Sequence, residues 1–335
     1  MSENILQTPV MRFKKKQVGA ECQSPCLNMP ASPLLQRLGY GTGVSVYLLE
    51  RSPRQGMHRS PWAVKKVNKS KQKNKANLFA NRLKEEANIL KSIDHKNIVG
   101  FRALSKAKDG MLCLALEDAE KCLFSILEER MEEHLGPLAP RYILKVSSDI
   151  ASALSYLHTE KQLLHADIKS ANVLVKGEYD IIKLCDFGVA IKLDENLQAL
   201  SSLYVGTESW SAKEAIRGKY VSDRSDIYSY GLVIYEMLSL NIPHFDIFPI
   251  EDDFPTEAEY EKAFEEAEKI YPSFLGTRPH LPPTDFGESY QDPITLFYVC
   301  TDEDPDKRPS AKQIVSSLLS STQMEDLQCK LNFED

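Results

Sequence analysis

The chain has 335 residues, of which 42% are hydrophobic, 27% charged and 9% aromatic, and a formal charge of −7. This is ordinary globular material, and it excludes a wholly disordered, collagen-like or disulfide-stapled chain. No apolar run reaches the roughly 18 residues that span a bilayer, and an acidic chain without an aromatic-interleaved basic stripe is a poor nucleic-acid binder, so neither membrane nor nucleic acid is expected as a partner.

In chain order, residues 1–31 read as a disordered tail with a basic cluster (Arg12, Lys14, Lys15, Lys16), scattered prolines and little periodicity. No apolar leader with a cleavage site opens it, and the seven cysteines are too scattered for a disulfide framework, which fits a reducing compartment. Cys22 and Cys26 have no nearby histidine or second cysteine pair, so a zinc site is not expected there. Thr8-Pro9, Ser24-Pro25 and Ser32-Pro33 suit a proline-directed kinase, although such dipeptides are common by chance. From Leu34 the texture changes. Residues 34–50 read as two strands around a glycine-rich turn, 62–67 as a strand, and 77–92 as a helix with Leu83, Ala87 and Leu90 on one face. Two more strands, 98–104 and 111–117, flank the turn Lys108-Asp109-Gly110. Beyond Lys121 the chain turns helical: Ile143, Val146, Ile150, Leu154 and Leu157 mark an amphipathic helix, 226–240 another apolar one, and 310–320 the last. Residues 251–268, rich in carboxylates, read as a solvated surface insertion.

The chemistry is concentrated in His165-Ala166-Asp167-Ile168-Lys169-Ser170-Ala171-Asn172, followed by Asp186-Phe187-Gly188. Alone, Asp-Phe-Gly is weak; behind the 165–172 string, the pair is specific. Phosphoryl transfer needs one carboxylate near the attacking hydroxyl, for which Asp167 is the candidate. It also needs a second carboxylate and an amide oxygen to hold magnesium against the phosphates, for which Asp186 and Asn172 are the candidates. Lys169 follows Asp167 by two residues, so in an extended loop both face the transferred group, where an ammonium stabilises the moving charge.

These motifs resemble those of the eukaryotic protein kinases, with the pattern running from about Leu34 to Leu319. The resemblance implies an α+β, bilobal fold: a small antiparallel β-sheet N-lobe with one key helix (about 32–117) and a larger, mainly helical C-lobe (about 121–320). An acidic insertion (about 246–272) and a C-terminal tail (321–335) complete the expected organisation. It implies ATP and Mg2+ as cofactors and protein substrates as partners. Lys65 would touch the α- and β-phosphates and pair with Glu86; Gly39, Gly41 and Gly43 with Val46 would cover the nucleotide. Ala63 would face adenine, with Leu116 as gatekeeper, Glu117, Asp118 and Ala119 as hinge, and Leu174 as floor. Val44 replaces the third glycine of the loop, which bears on the phosphate clamp.

Thr207 would lie in the substrate-docking loop, Glu214 would form a buried pair with Arg308, and Asp226 would cap the catalytic loop from below. The lysine at 169 with Thr207 resembles the serine/threonine class; some dual-specificity kinases share this pattern, so both specificities stay open. The stretches 31–54 and 58–68 resemble a mitogen-activated kinase kinase-like branch linked to mitosis. That implies cytoplasmic and nuclear residence and an upstream proline-directed kinase acting on Thr8, with Ser32 a second candidate. The ending Leu331-Asn332-Phe333-Glu334-Asp335 lacks the Ser/Thr-x-hydrophobic form read by PDZ domains, so PDZ binding is not expected.

Ala166 stands where many kinases carry an arginine that receives an activation-loop phosphate, and between Val189 and Gly206 the only basic residue is Lys192. Activity is therefore expected not to depend on an arginine–phosphate switch at Ser201, Ser202 or Tyr204. The rival from another class is a pseudokinase scaffold, which Val44 and Ala166 favour and the intact Lys65, Glu86, Asp167, Lys169, Asn172 and Asp186 oppose. Cys185, beside Asp186, reads as a small buried hydrophobe rather than a reactive thiol.

Overall fold

The computed structural model describes residues 36–41, 44–54, 57–68, 73–218 and 220–320; Thr8, Ser32, Gly43, Cys22, Cys26 and both expected tails lie outside them. Strands β1 (Gln36–Gly41), β2 (Val44–Arg54) and β3 (Met57–Val67) precede helix α1 (Lys73–Lys91), and β4 (Phe101–Lys106) and β5 (Leu112–Glu117) follow it. They form one antiparallel sheet in the order β1-β2-β3-β5-β4. Helix α1 packs on this sheet through Leu83, Ala87 and Leu90, which are all buried. It starts at Lys73 rather than at 77, because its first residues (Lys73, Asn74, Lys75) are polar and give periodicity nothing to detect.

The strand expected from Ile98 begins only at Phe101. Ile98 instead makes a lone parallel bridge to Leu184, and the Val99 N–H donates to the Leu184 carbonyl at 2.9 Å. This short exchange ties the sheet to the second lobe two residues before Asp186.

The second lobe begins with β6 (Lys121–Cys122), α2 (Leu123–Glu132), α3 (Pro140–Glu160) and β7 (Leu163–Leu164). Strands β8 (Val173–Lys176), β9 (Ile181–Leu184), β10 (Ile191–Lys192) and β11 (Gln198–Leu200) carry the chain to α4 (Lys213–Arg217), β12 (Tyr220–Ser222) and α5 (Asp223–Ser239). Helices α6 (Glu257–Phe274), α7 (Gln291–Cys300) and α8 (311–320) complete it. Helix α5 is apolar on nearly every side and is buried almost throughout, the axis on which α3 and α7 pack. Ser222 and Ser225 close its N-terminus as a capping box. Among the described residues no helix is long and apolar enough to cross a membrane.

The acidic segment departs from its expectation as a merely solvated insertion. It forms α6, whose Phe264 and Tyr271 rings pack on Phe248 at 5.1 and 5.4 Å, with Ala267 buried beneath. Charge hid an aromatic stripe at helical spacing.

Candidate active site

The catalytic loop is hung from the buried helix α5. One Asp226 carboxylate oxygen accepts the His165 N–H (2.8 Å) and faces His158 Nε2 (2.9 Å), while the other accepts the Ala166 N–H (2.9 Å). These bonds hold Ala166 at φ +64°, a left-handed conformation that costs an alanine roughly 1–2 kcal/mol. Gly206 presses on the same turn: a Cβ there would lie 2.4 Å from the Ala166 carbonyl oxygen, so only glycine permits the approach. The His165 ring donates from Nε2 to the Cys185 carbonyl at 3.0 Å and meets the Phe187 ring edge-on at 4.8 Å, locking the loop to the segment that carries Asp186.

Three of the expected residues converge on Asp167. Its Oδ1 accepts from the Thr207 hydroxyl (2.6 Å) and N–H (3.1 Å), its Oδ2 from the Asn172 amide (2.9 Å), and Lys169 Nζ lies 3.0 Å from Oδ2. Lys169 also donates to the Thr207 hydroxyl at 2.6 Å. The carboxylate thus has a fixed direction, and the Asn172 amide, donating through nitrogen, turns its carbonyl oxygen elsewhere as a possible metal ligand.

Opposite, on the sheet, Lys65 Nζ sits 2.7 Å from Glu86 Oε1 and 2.9 Å from Asp186 Oδ1. Burial alone would lower the Lys65 ammonium, but the Asp186 and Glu86 carboxylates outweigh it and hold it charged well above its ordinary range. Burial likewise works against the Asp186 anion; Lys65 overcomes this and keeps the carboxyl below the usual carboxylate range. Asp186 adopts φ +67°, strain concentrated at the residue that would face the metal. Residues 65 and 186, far apart in sequence, are therefore one electrostatic unit.

A cavity of about 270 Å³ lies between the lobes, lined by Val44, Val46, Lys65, Glu86, Asp167 and Asp186. Gly39 pairs with Val46 and Gly41 with Val44 in the β1–β2 ladder, and Val46 pairs in turn with Lys65. Ala63 is paired with the buried Leu116, and Ala119 and Leu174 share one recess at the hinge. The Glu117 carboxylate is engaged away from the cleft, by the Gly100 N–H (3.2 Å), Lys183 (3.2 Å) and Arg102 (3.6 Å). Burial pushes the Cys185 thiol well above its ordinary range.

Sequence reasoning missed several participants. Phe79, Arg82 and Leu83 also line the cleft; Arg82 stands one turn before Glu86 on α1, a spacing that could have identified it. Glu236 gave no such signal. It is buried in α5, and it accepts from the Ser170 N–H (3.1 Å), the Ser170 hydroxyl and Trp210 Nε1 (2.8 Å). Burial pushes its carboxyl up to about 7 against these donors.

Comparison with known proteins agrees with this geometry. Residues 33–319 match the protein kinase domain family. The chain is 46% identical over 314 residues to the human lymphokine-activated killer T-cell-originated protein kinase, an alignment covering 92% of this chain and 95% of that protein. It is 27% identical to the serine/threonine-protein kinase STY17 of Arabidopsis thaliana over 70% of this chain and 36% of the relative. It is 34% identical to mouse mitogen-activated protein kinase kinase kinase 13 over 47% of this chain and 16% of the relative. A family match over most of the chain, with Lys65, Asp186 and the loop of Asp167 assembled around one cleft, means that this chain belongs to the protein kinase family.

Proposed function

We propose that this chain transfers the γ-phosphoryl group of ATP to serine and threonine hydroxyls of protein substrates, as a mitogen-activated kinase kinase-like enzyme of proliferative, mitotic signalling in cytoplasm and nucleus. The observation that carries the acceptor class is the Thr207 bridge between Asp167 and Lys169. A relative named as a serine/threonine-protein kinase supports the same acceptor class. Asp167 orients the acceptor hydroxyl and takes its proton, Lys169 neutralises the charge that develops on the moving group, and Lys65, fixed by Glu86, holds phosphate oxygens. Asp186 and Asn172 fit a magnesium ion: Mg2+ takes one or two carboxylates and completes its shell with phosphate oxygens and water. When bound, the ion would supply Lewis-acid stabilisation of the phosphates.

The test is incorporation of radiolabelled ATP into a peptide library with serine, threonine or tyrosine acceptors. Serine and threonine peptides should be labelled; labelling confined to tyrosine would overturn the reading. We further infer that no activation-loop phosphate is required. The segment is closed by backbone pairing of β10 with β7 and β11 with β12, and Ser201 Oγ already donates to the Gly218 carbonyl at 2.5 Å, a bond that a phosphate would break. The Ser201→Ala/Ser202→Ala variant should keep activity close to wild type in the same assay. Loss of turnover restored by glutamates at both positions would refute this. An upstream proline-directed kinase acting on Thr8 belongs to the same proposal.

A further inference from the structure

Away from the cleft, a cavity of about 600 Å³ opens between α2, the end of α5, the segment 240–250 and α6. Its walls are apolar, and three of the side chains that line it are also strongly exposed: Ile250 (66%), Phe245 (53%) and Met131 (47%). Its shape is set in advance, because Phe248 is wedged among the rings of Phe245, Phe264 and Tyr271 at 5.0–5.4 Å. The rim carries one sign of charge. Glu128 and Asp246 line it, and from Asp246 to Glu261 the chain has seven carboxylates and no lysine or arginine. Two nearby cations are engaged: Lys121 holds Glu129 at 2.6 Å, and Arg130 donates to the carbonyls of Leu135, Gly136 and Pro137; Lys262, exposed on α6, does not line the cavity. The inner wall includes Glu236, whose carboxylate grips Ser170, three residues beyond Asp167.

We propose that this cavity docks a basic segment of a protein substrate, with one or two large apolar side chains in the cavity and lysines or arginines on its rim. The inference rests on the kinase reading above and deepens it by naming a feature of the substrate. A preformed apolar recess of this size takes a few large side chains. The carboxylate rim then selects for cations beside them and repels acidic peptides, nucleic acid and anionic lipid. Through Glu236 the seat adjoins the catalytic loop, so a substrate held there is tethered next to Asp167.

The test uses the full chain and a fluorescein-labelled synthetic peptide in which lysines and arginines flank a leucine–phenylalanine pair, followed by anisotropy. The wild type should bind it, more weakly as salt rises. Ile250→Asp and the double reversal Glu128→Lys/Asp246→Lys should each weaken binding about tenfold or more, while turnover of a short acceptor peptide without the basic anchor stays unchanged. Asp167→Asn should bind the labelled peptide as the wild type does, so a failure of the catalytic reading would not be mistaken for a failure of docking. Equal binding by wild type and the cavity variants would overturn the proposal. So would displacement of the labelled peptide by the short acceptor peptide, which would put it in the cleft. A gain in affinity after charge reversal at Lys14, Lys15 and Lys16 would also overturn it, since the chain's own basic cluster would then be the occupant.

Discussion

Asp167→Asn is expected to lower kcat about 10³-fold, within the roughly 10²–10⁴-fold that a positioned general base contributes, while ATP affinity changes little. The asparagine can still accept the Thr207 N–H through its oxygen, so the loop keeps its shape. What disappears is the anion that orients the acceptor hydroxyl and balances Lys169 at 3.0 Å. On the proposed reading, phosphate binding belongs to Lys65 and Asp186 on the far side of the cleft, which this change does not touch. Single-turnover rates with radiolabelled ATP, alongside fluorescent-nucleotide titration, separate the two effects. Equal phosphate incorporation by wild type and variant would remove Asp167 from its assigned role.

Arg308→Met is expected to destabilise the chain by about 3–5 kcal/mol, the usual result of stripping one partner from a buried ion pair. The Arg308 side chain is wholly buried. It bonds both Glu214 oxygens (2.6 and 3.1 Å) and the carbonyls of Asp302 (2.7 Å) and Arg224 (3.0 Å), with Tyr228 beneath its guanidinium at 4.9 Å. Methionine fills the volume and leaves a carboxylate and these carbonyls without their donor. Against a total of about 5–15 kcal/mol for a folded domain, that is a large fraction. Glu214→Gln/Arg308→Met should recover part of the loss, because the orphaned charge is gone. Urea unfolding of the two variants measures this, and a single variant as stable as wild type would contradict it. Glu214 sits on α4, just beyond the Gly206–Thr207 loop, so loosening should raise the KM for peptide before that for ATP.

Much of the site was legible in the sequence because its chemistry is written as short fixed spacings. Asp167, Lys169 and Asn172 share one loop, and Asp186 follows a strand that brings it back to them; periodicity found the strand of Lys65 and the helix of Glu86, but their roles, too, came from the family resemblance. The Glu214–Arg308 and Asp226 assignments came from the family resemblance, and the geometry agrees with both. What stayed hidden depends on tertiary packing. Glu236 is a glutamate in an apolar helix, and nothing local says that Ser170 and Trp210 converge on it. The aromatic face of α6 was masked by its carboxylates, since average polarity outweighs a sparse stripe. Glu117 was assigned by position, which says nothing of where a side chain points.

The activation segment has a final consequence. Its closure is made of the β11–β12 backbone ladder and of the Ser201 hydroxyl donating to the Gly218 carbonyl, with no phosphate among these contacts. Such contacts offer a phosphatase no ester to cleave. On the reading proposed above, stripping phosphate from this segment should leave turnover unchanged, and any control by phosphorylation falls to other parts of the chain, Thr8 among them.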